Sequence, residues 1–201
     1  MRRALAVLLC ILGAAAHAEP QKTYQADLRV KYLETALGAV RETPLDVLER
    51  GYEYARVLDR GACSSAAMRL KVECLMTAAL RFCKSKKAGE ARRCQTYMDV
   101  AMSNVLADKQ LITTDRRYEI MRRYRDPRRE LAHEIRRVQG ALAVDFRLRM
   151  GATAERDDAA LAKNIDQYCV LTADTTNLAW QACASSLVWF ITTRQQAKKN
   201  E

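Results

Sequence analysis

The sequence predicts an all-α protein: a single disulfide-stabilised domain of about six or seven helices, arranged as helical hairpins. Three observations predict it. Apolar residues recur at spacings of three and four along most of the chain. Only three prolines and seven glycines interrupt 201 residues, and runs of β-branched residues are few. Cysteines fall on either side of two expected turns, as they do when a staple closes a helical hairpin.

The opening MRRALAVLLCILGAAAHAEP reads as a targeting segment rather than part of the fold. Arg2 and Arg3 form a short basic region, Ala4 to Ala16 an apolar run, and Ala16-His17-Ala18 a small-x-small cleavage pattern. The expectation is a secretory signal peptide over 1–18, cut near Ala18, because the uncharged run falls short of the roughly 20 residues that span a bilayer. The mature chain then has 183 residues, and its formal charge falls from +10 to +8 as Arg2 and Arg3 leave. One helical domain is expected over 19–194, followed by a frayed tail over 195–201.

Within that domain the first amphipathic segment runs from about Thr23 to Val40, with Tyr24, Leu28, Leu33, Leu37 and Val40 as its apolar stripe. Thr43-Pro44 then offers a cap and a first-turn proline to a second helix, which carries Leu45, Leu48, Tyr52, Ala55 and Leu58 and ends at Gly61. A third helix is expected from Ser64 or Ser65 to about Lys84, presenting Leu70, Leu75, Ala79 and Phe82. SKKAG breaks it, and a fourth begins near Glu90 with Tyr97, Met98, Ala101, Val105 and Leu106.

From Thr114 the sequence turns strongly basic. Asp126-Pro127 can restart a helix, since a residue before proline avoids the α region, giving a short helix to Arg125 and a long one from Pro127 to about Met150. A single helix kinked at Pro127 is the alternative. Beyond Gly151, Thr153 is expected to cap a helix carrying Leu161, Ile165 and Cys169, and Asp174 to cap the last, TTNLAWQACASSLVWFITT. That last segment has no charge for nineteen residues, yet its Asn177, Gln181, Ser185 and Ser186 make it polar for lipid. A helix apolar on nearly all sides belongs at the centre of a helical domain, so no transmembrane helix is expected in the mature chain.

Losing Cys10 with the signal leaves six cysteines, an even set in an exported chain. Their spacing does not suit zinc, whose ligands usually come in pairs two to four residues apart. Nor is there a Cys-x-x-Cys for redox or haem chemistry, and staples remain. Cys83 and Cys94 straddle the SKKAG turn, and Cys169 and Cys183 straddle the turn from Thr172 to Asn177, so each pair is expected to bond. By elimination Cys63 pairs with Cys74, although eleven residues of straight helix would hold them about 16 Å apart. The bond needs Cys63 to lie in the loop after Gly61. A hairpin pairing Cys63 with Cys94 and Cys74 with Cys83 would require a turn inside LMTAALRF, which reads as helix.

Catalytic chemistry finds little support. His133 is the one histidine of the mature chain, so Glu130-Leu-Ala-His133 lacks the second copy that a di-iron site needs. Likewise His133-Glu134 starts a zinc-protease motif whose second histidine is replaced by Arg137. No nucleophile elbow, phosphate-cradling glycine loop or dinucleotide fingerprint occurs. Glu155, Asp157 and Asp158 qualify as a carboxylate set only in that they are acids, and a helix dipole explains them as well. No cofactor and no metal is expected, and the protein is not expected to be an enzyme.

The positive signal is basic. Residues 116 to 149 hold eleven arginines against five acids, around an apolar stripe of Leu131, Ile135, Val138, Leu142 and Phe146. Arg116, Arg117, Arg122, Arg123, Arg128, Arg129, Arg136 and Arg137 are the candidate binding residues, because guanidinium forks grip carboxylates and phosphates with two parallel bonds. Local pairing, for instance of Glu134 with Arg137, is the competing use of the same residues. The functional expectation is an exported, periplasmic or secreted, non-enzymatic adaptor that docks an acidic protein partner or an anionic envelope component. Nucleic acid is not an expected partner, whereas peripheral contact with a membrane suits the charge. An envelope chaperone with an apolar client-binding surface and a cell-wall hydrolase using paired carboxylates are the alternatives.

Overall fold

The computed structural model describes residues 25–64, 68–84, 86–151, 157–172 and 177–199. The expected signal peptide, Tyr24, Glu155 and the caps at Thr153 and Asp174 lie outside these residues. Eight helices and no strand are found among the described residues: α1 over 25–41, α2 Leu45–Arg60, α3 Met68–Cys83, α4 Ala88–Leu111, α5 Thr114–Arg123, α6 Pro127–Met150, α7 Asp158–Thr172 and α8 Asn177–Lys199. None is long and apolar enough to cross a membrane.

α4 and α8 pack against each other in the middle, with α2, α3 and α6 against α4 and with α2, α6 and α7 against α8. Seven consecutive residues of α8, Ala182 to Val188, are buried, as a helix apolar on nearly all sides must be when neighbours surround it. At the α2–α4 crossing a glycine is required: a Cβ on Gly51 would stand 2.9 Å from the Met98 sulfur and 3.0 Å from the Tyr97 ring. Polar groups also enter the core. Gln139 donates to the Asn104 carbonyl at 2.9 Å and Ser186 donates to the same oxygen at 3.4 Å, joining α6, α4 and α8.

Two expected core leucines lie outside the core. Leu28 is 49% exposed and Leu70 57%, whereas Leu33, Leu37, Leu75 and Ala79 are buried. Each misassigned leucine sits five residues before the next member of its stripe, which turns it about 140° around the helix at 3.6 residues per turn. The Thr43 cap is also corrected. Its hydroxyl, buried, donates back to the Ala39 carbonyl at 2.7 Å and so closes α1, while α2 starts at Leu45 without a side-chain cap.

Asp126-Pro127 separates two helices. α5 ends at Arg123, Tyr124 is extended, and the Asp126 carboxylate accepts from the Arg129 N–H at 3.2 Å to open α6. α6 closes at Gly151, whose φ of +82° a side chain would disfavour. The expected frayed tail is helix as far as Lys199. There the Gln196 amide donates at 3.0 Å to the carbonyls of Val40, Arg41 and Thr43, at and just beyond the end of α1.

Three disulfides join Cys63 to Cys74, Cys83 to Cys94 and Cys169 to Cys183, with Cα separations of 5.9, 5.8 and 5.7 Å. Cys63 reaches α3 because it lies in the turn after α2, where its N–H bonds the Leu58 carbonyl at 2.9 Å. Replacing both Cys169 and Cys183 by alanine should lower the unfolding free energy by about 3 kcal/mol, since the cross-link limits the unfolded chain. Denaturant titration of the double variant measures it, and a loss under about 1 kcal/mol would contradict that account.

Candidate functional site

The basic sequence folds into a helix pair whose first member stands apart from the main core. α5 packs on α6, and none of its described residues joins the hydrophobic cluster that draws on the other seven helices. Ile120 is its one buried residue. Thr113 begins α5 by accepting from the Arg116 N–H at 3.3 Å.

Ion pairs run along both helices, and Arg116–Glu134 joins one to the other. Arg116 donates to Glu119 at 2.6 Å and to Glu134 at 3.3 Å, Arg123 donates to Glu119 at 3.0 Å, and Arg137 grips Glu134 with two bonds of 2.8 and 2.9 Å. The Arg137 bonds, with a smaller share from Arg116, hold the Glu134 carboxyl down at about 2 against the opposing effect of burial. A carboxyl lowered in the folded state stabilises above the ordinary glutamate range. That contribution fades as pH falls from about 4 to about 2.

The eight candidate arginines therefore divide. Arg116, Arg123 and Arg137 serve the network, Arg117 donates to the Ile112 carbonyl at 3.2 Å, and Arg136 donates to the Ala132 carbonyl at 3.3 Å. Arg122, Arg128 and Arg129 are exposed, and their guanidinium groups engage no described side chain or carbonyl. The Glu134–Arg137 pair was legible from its spacing; the division was not, because it depends on how α5 lies on α6.

Beside this pair the structure places a cleft that sequence reasoning missed except for Arg117. Its volume is about 270 Å³, and its charged lining is Arg56, Asp59 and Arg60 of α2, Lys71 of α3 and Arg117 of α5. Lys71 and Asp59 form an ion pair at 2.9 Å, with side chains 7% and 9% exposed. Arg56 is paired with Glu53 and lies 5.7 Å above the Tyr52 ring. The Arg56-x-x-Asp59-Arg60 spacing puts all three on neighbouring faces of one helix. Nothing in the sequence, however, says that Lys71 and Arg117 face them.

A second cleft, of about 400 Å³, opens between α1, α3 and α4 and is mainly apolar, with Tyr32, Met76, Leu80 and Met102 in its lining. The Tyr32 hydroxyl donates to Asp99 there at 2.5 Å. Burial pushes the Asp99 carboxyl up from its usual range, and the bond from Tyr32 only partly offsets this. A third cluster fastens α1 to α7 and α8: Arg29 and the Trp180 N–H both donate to Asp166, at 2.6 and 3.0 Å.

The remaining candidates take structural places. His133 is exposed on α6. Asp157 accepts from the Ala160 N–H at 2.6 Å at the start of α7, and Asp158 pairs with Arg41 at 2.8 Å. No group of three histidines, cysteines or acids able to hold a metal ion occurs among the described residues. Comparison with protein-family models, with curated proteins and with solved structures finds no match to this chain.

Proposed function

We propose that the protein is an exported, non-enzymatic helical adaptor whose α5–α6 face docks an acidic protein partner. The observation that carries this is the presence of three exposed guanidinium groups, Arg122, Arg128 and Arg129, that engage no partner among the described residues, on a helix pair at the margin of the fold. Arginines spent on Glu119 and Glu134 fix the geometry of the face, and those left over are available to carboxylates of another molecule. The three disulfides fit an oxidising compartment, which is where a chain cut near Ala18 would arrive.

Crosslinked pull-down of the tagged mature protein from its own cell envelope, at low and high salt, identifies the partner. One dominant acidic protein, released at high salt, is the expected capture. Changing Arg122, Arg128 and Arg129 together to glutamate should abolish that capture while stability stays within about 0.5 kcal/mol, as for other exposed sites. Undiminished capture by the triple variant refutes the docking face.

A second reading, an envelope chaperone, draws on the apolar cleft of Tyr32, Met76 and Leu80. It predicts suppressed aggregation of unrelated clients, lost on changing Leu80 to lysine.

A further inference from the structure

We propose that the cleft between α1, α3 and α4 is a binding site for a small apolar organic cation, an ammonium group carried on a hydrocarbon body. It goes beyond the docking reading and shares no residue with the α5–α6 face. The cleft holds about 400 Å³, within the range of roughly 300–1,000 Å³ usual for small-ligand sites. Its walls suit a hydrocarbon. Met76 and Leu80, one turn apart on α3, are 51% and 54% exposed, and Tyr32 lines the α1 side. Met102 adds to the lining from α4, and the two methionines supply flexible, polarisable surface that moulds to a guest.

Charge in the cleft selects the head group. Asp99 of α4 is half-buried and is the one acid in the lining. Among the described residues its carboxylate has one partner, the Tyr32 hydroxyl at 2.5 Å, and that partner is neutral. Burial pushes the carboxyl up, and no cation acts against it. Other acids withdrawn from water in this fold each hold a cation: Asp59 has Lys71, Asp166 has Arg29 and Glu134 has Arg137. Asp99 does not, and the guest supplies what it lacks. An ammonium there meets a carboxylate and the Tyr32 ring that is bonded to it, the two kinds of group that hold such a head. Lys31 is the one cation of the lining, but it is exposed, so water and salt screen it more than they screen Asp99. A guest headed by a carboxylate therefore gains less from Lys31 than an ammonium gains from Asp99.

Three probes that share one hydrocarbon body test this: phenethylammonium, phenethyl alcohol and hydrocinnamate, titrated calorimetrically at neutral pH into the intact mature protein. The cation should show one saturable site. The alcohol should bind about tenfold more weakly, the worth of one charge-assisted hydrogen bond, and the carboxylate more weakly still. Asp99→Asn keeps the size of the side chain and an acceptor for Tyr32 while removing a charge that burial disfavours, so it should melt no lower than the parent. In that variant the cation should lose its tenfold advantage over the alcohol. Leu80→Ser, at an exposed position of the wall, should weaken cation and alcohol alike. Leu148→Ser, exposed on α6 and outside the cleft lining, should bind as the parent does. No saturable heat with the cation, or an advantage over the alcohol that survives in Asp99→Asn, overturns the proposal. Equal affinity for cation and alcohol in the parent also overturns it and leaves the cleft an apolar surface without charge selection. Tightest binding of the carboxylate overturns it as well and places recognition at Lys31.

Discussion

Replacing Asp59 with alanine should lower the unfolding free energy by about 3 to 5 kcal/mol, the range found when one member of a buried ion pair is removed. The Lys71 ammonium stands 2.9 Å from the Asp59 carboxylate, and neither side chain is more than 9% exposed. Taking the carboxylate away leaves a cation facing Arg56, Arg60 and Arg117 across a narrow cleft, with little water to screen it. Replacing the pair together, Asp59→Leu with Lys71→Met, removes both charges and should recover most of the loss. Urea titration of the three proteins at neutral pH measures both effects. A single variant within about 1 kcal/mol of the parent would mean that Lys71 draws its stabilisation from elsewhere.

Phe146→Ala should cost a similar amount, about 3 to 5 kcal/mol, for a different reason. Phe146 is fully buried in α6 and meets the Tyr168 ring of α7 edge-on, with centroids 5.4 Å apart and planes at 89°. Truncation removes the ring's transfer energy and leaves a cavity that stapled helices close only in part, because the Cys169–Cys183 bond begins one residue beyond Tyr168. The midpoint of thermal unfolding should fall by about 10 °C. Phe146→Leu keeps most of the volume and should cost under about 1.5 kcal/mol. Equal losses in the two variants would show that the shape of the ring, rather than the space it fills, is what the site requires.

Helix identity was legible because it depends on local periodicity and on caps that announce themselves. Gly151 needed no tertiary information, whereas Asp126-Pro127 left a break and a kink both open. The buried stripe of α6 was readable only in part: Ile135 and Phe146 are buried, Leu131, Val138 and Leu142 are half-buried, and the stripe is completed by Ala143 and by Gln139, a polar residue whose partner Asn104 is thirty-five residues away in sequence. Cys83–Cys94 and Cys169–Cys183 were legible because a cysteine near each end of a turn leaves few choices, and Cys63–Cys74 followed by elimination. Misreadings arose where a residue's role is set by a distant element. Thr43 looks like a cap until Ala39 claims its hydroxyl, and the contact of Gln196 with the end of α1 is invisible in the sequence. The same holds for the candidate sites. Arginine content marked the α5–α6 region, but the assignment of Glu119 and Glu134 to particular arginines, and the convergence of Lys71 with Arg117, follow from packing alone.

The position of α8 has a consequence for how the protein is made. Its central partner α4 is complete at Leu111, whereas α8 begins at Asn177, so a chain still being synthesised holds one half of its core without the other. The central pair therefore cannot form until α8 has been made. A stop codon inside α8 would take away part of the helix that fills the centre, buried Ile191 and Thr192 among it.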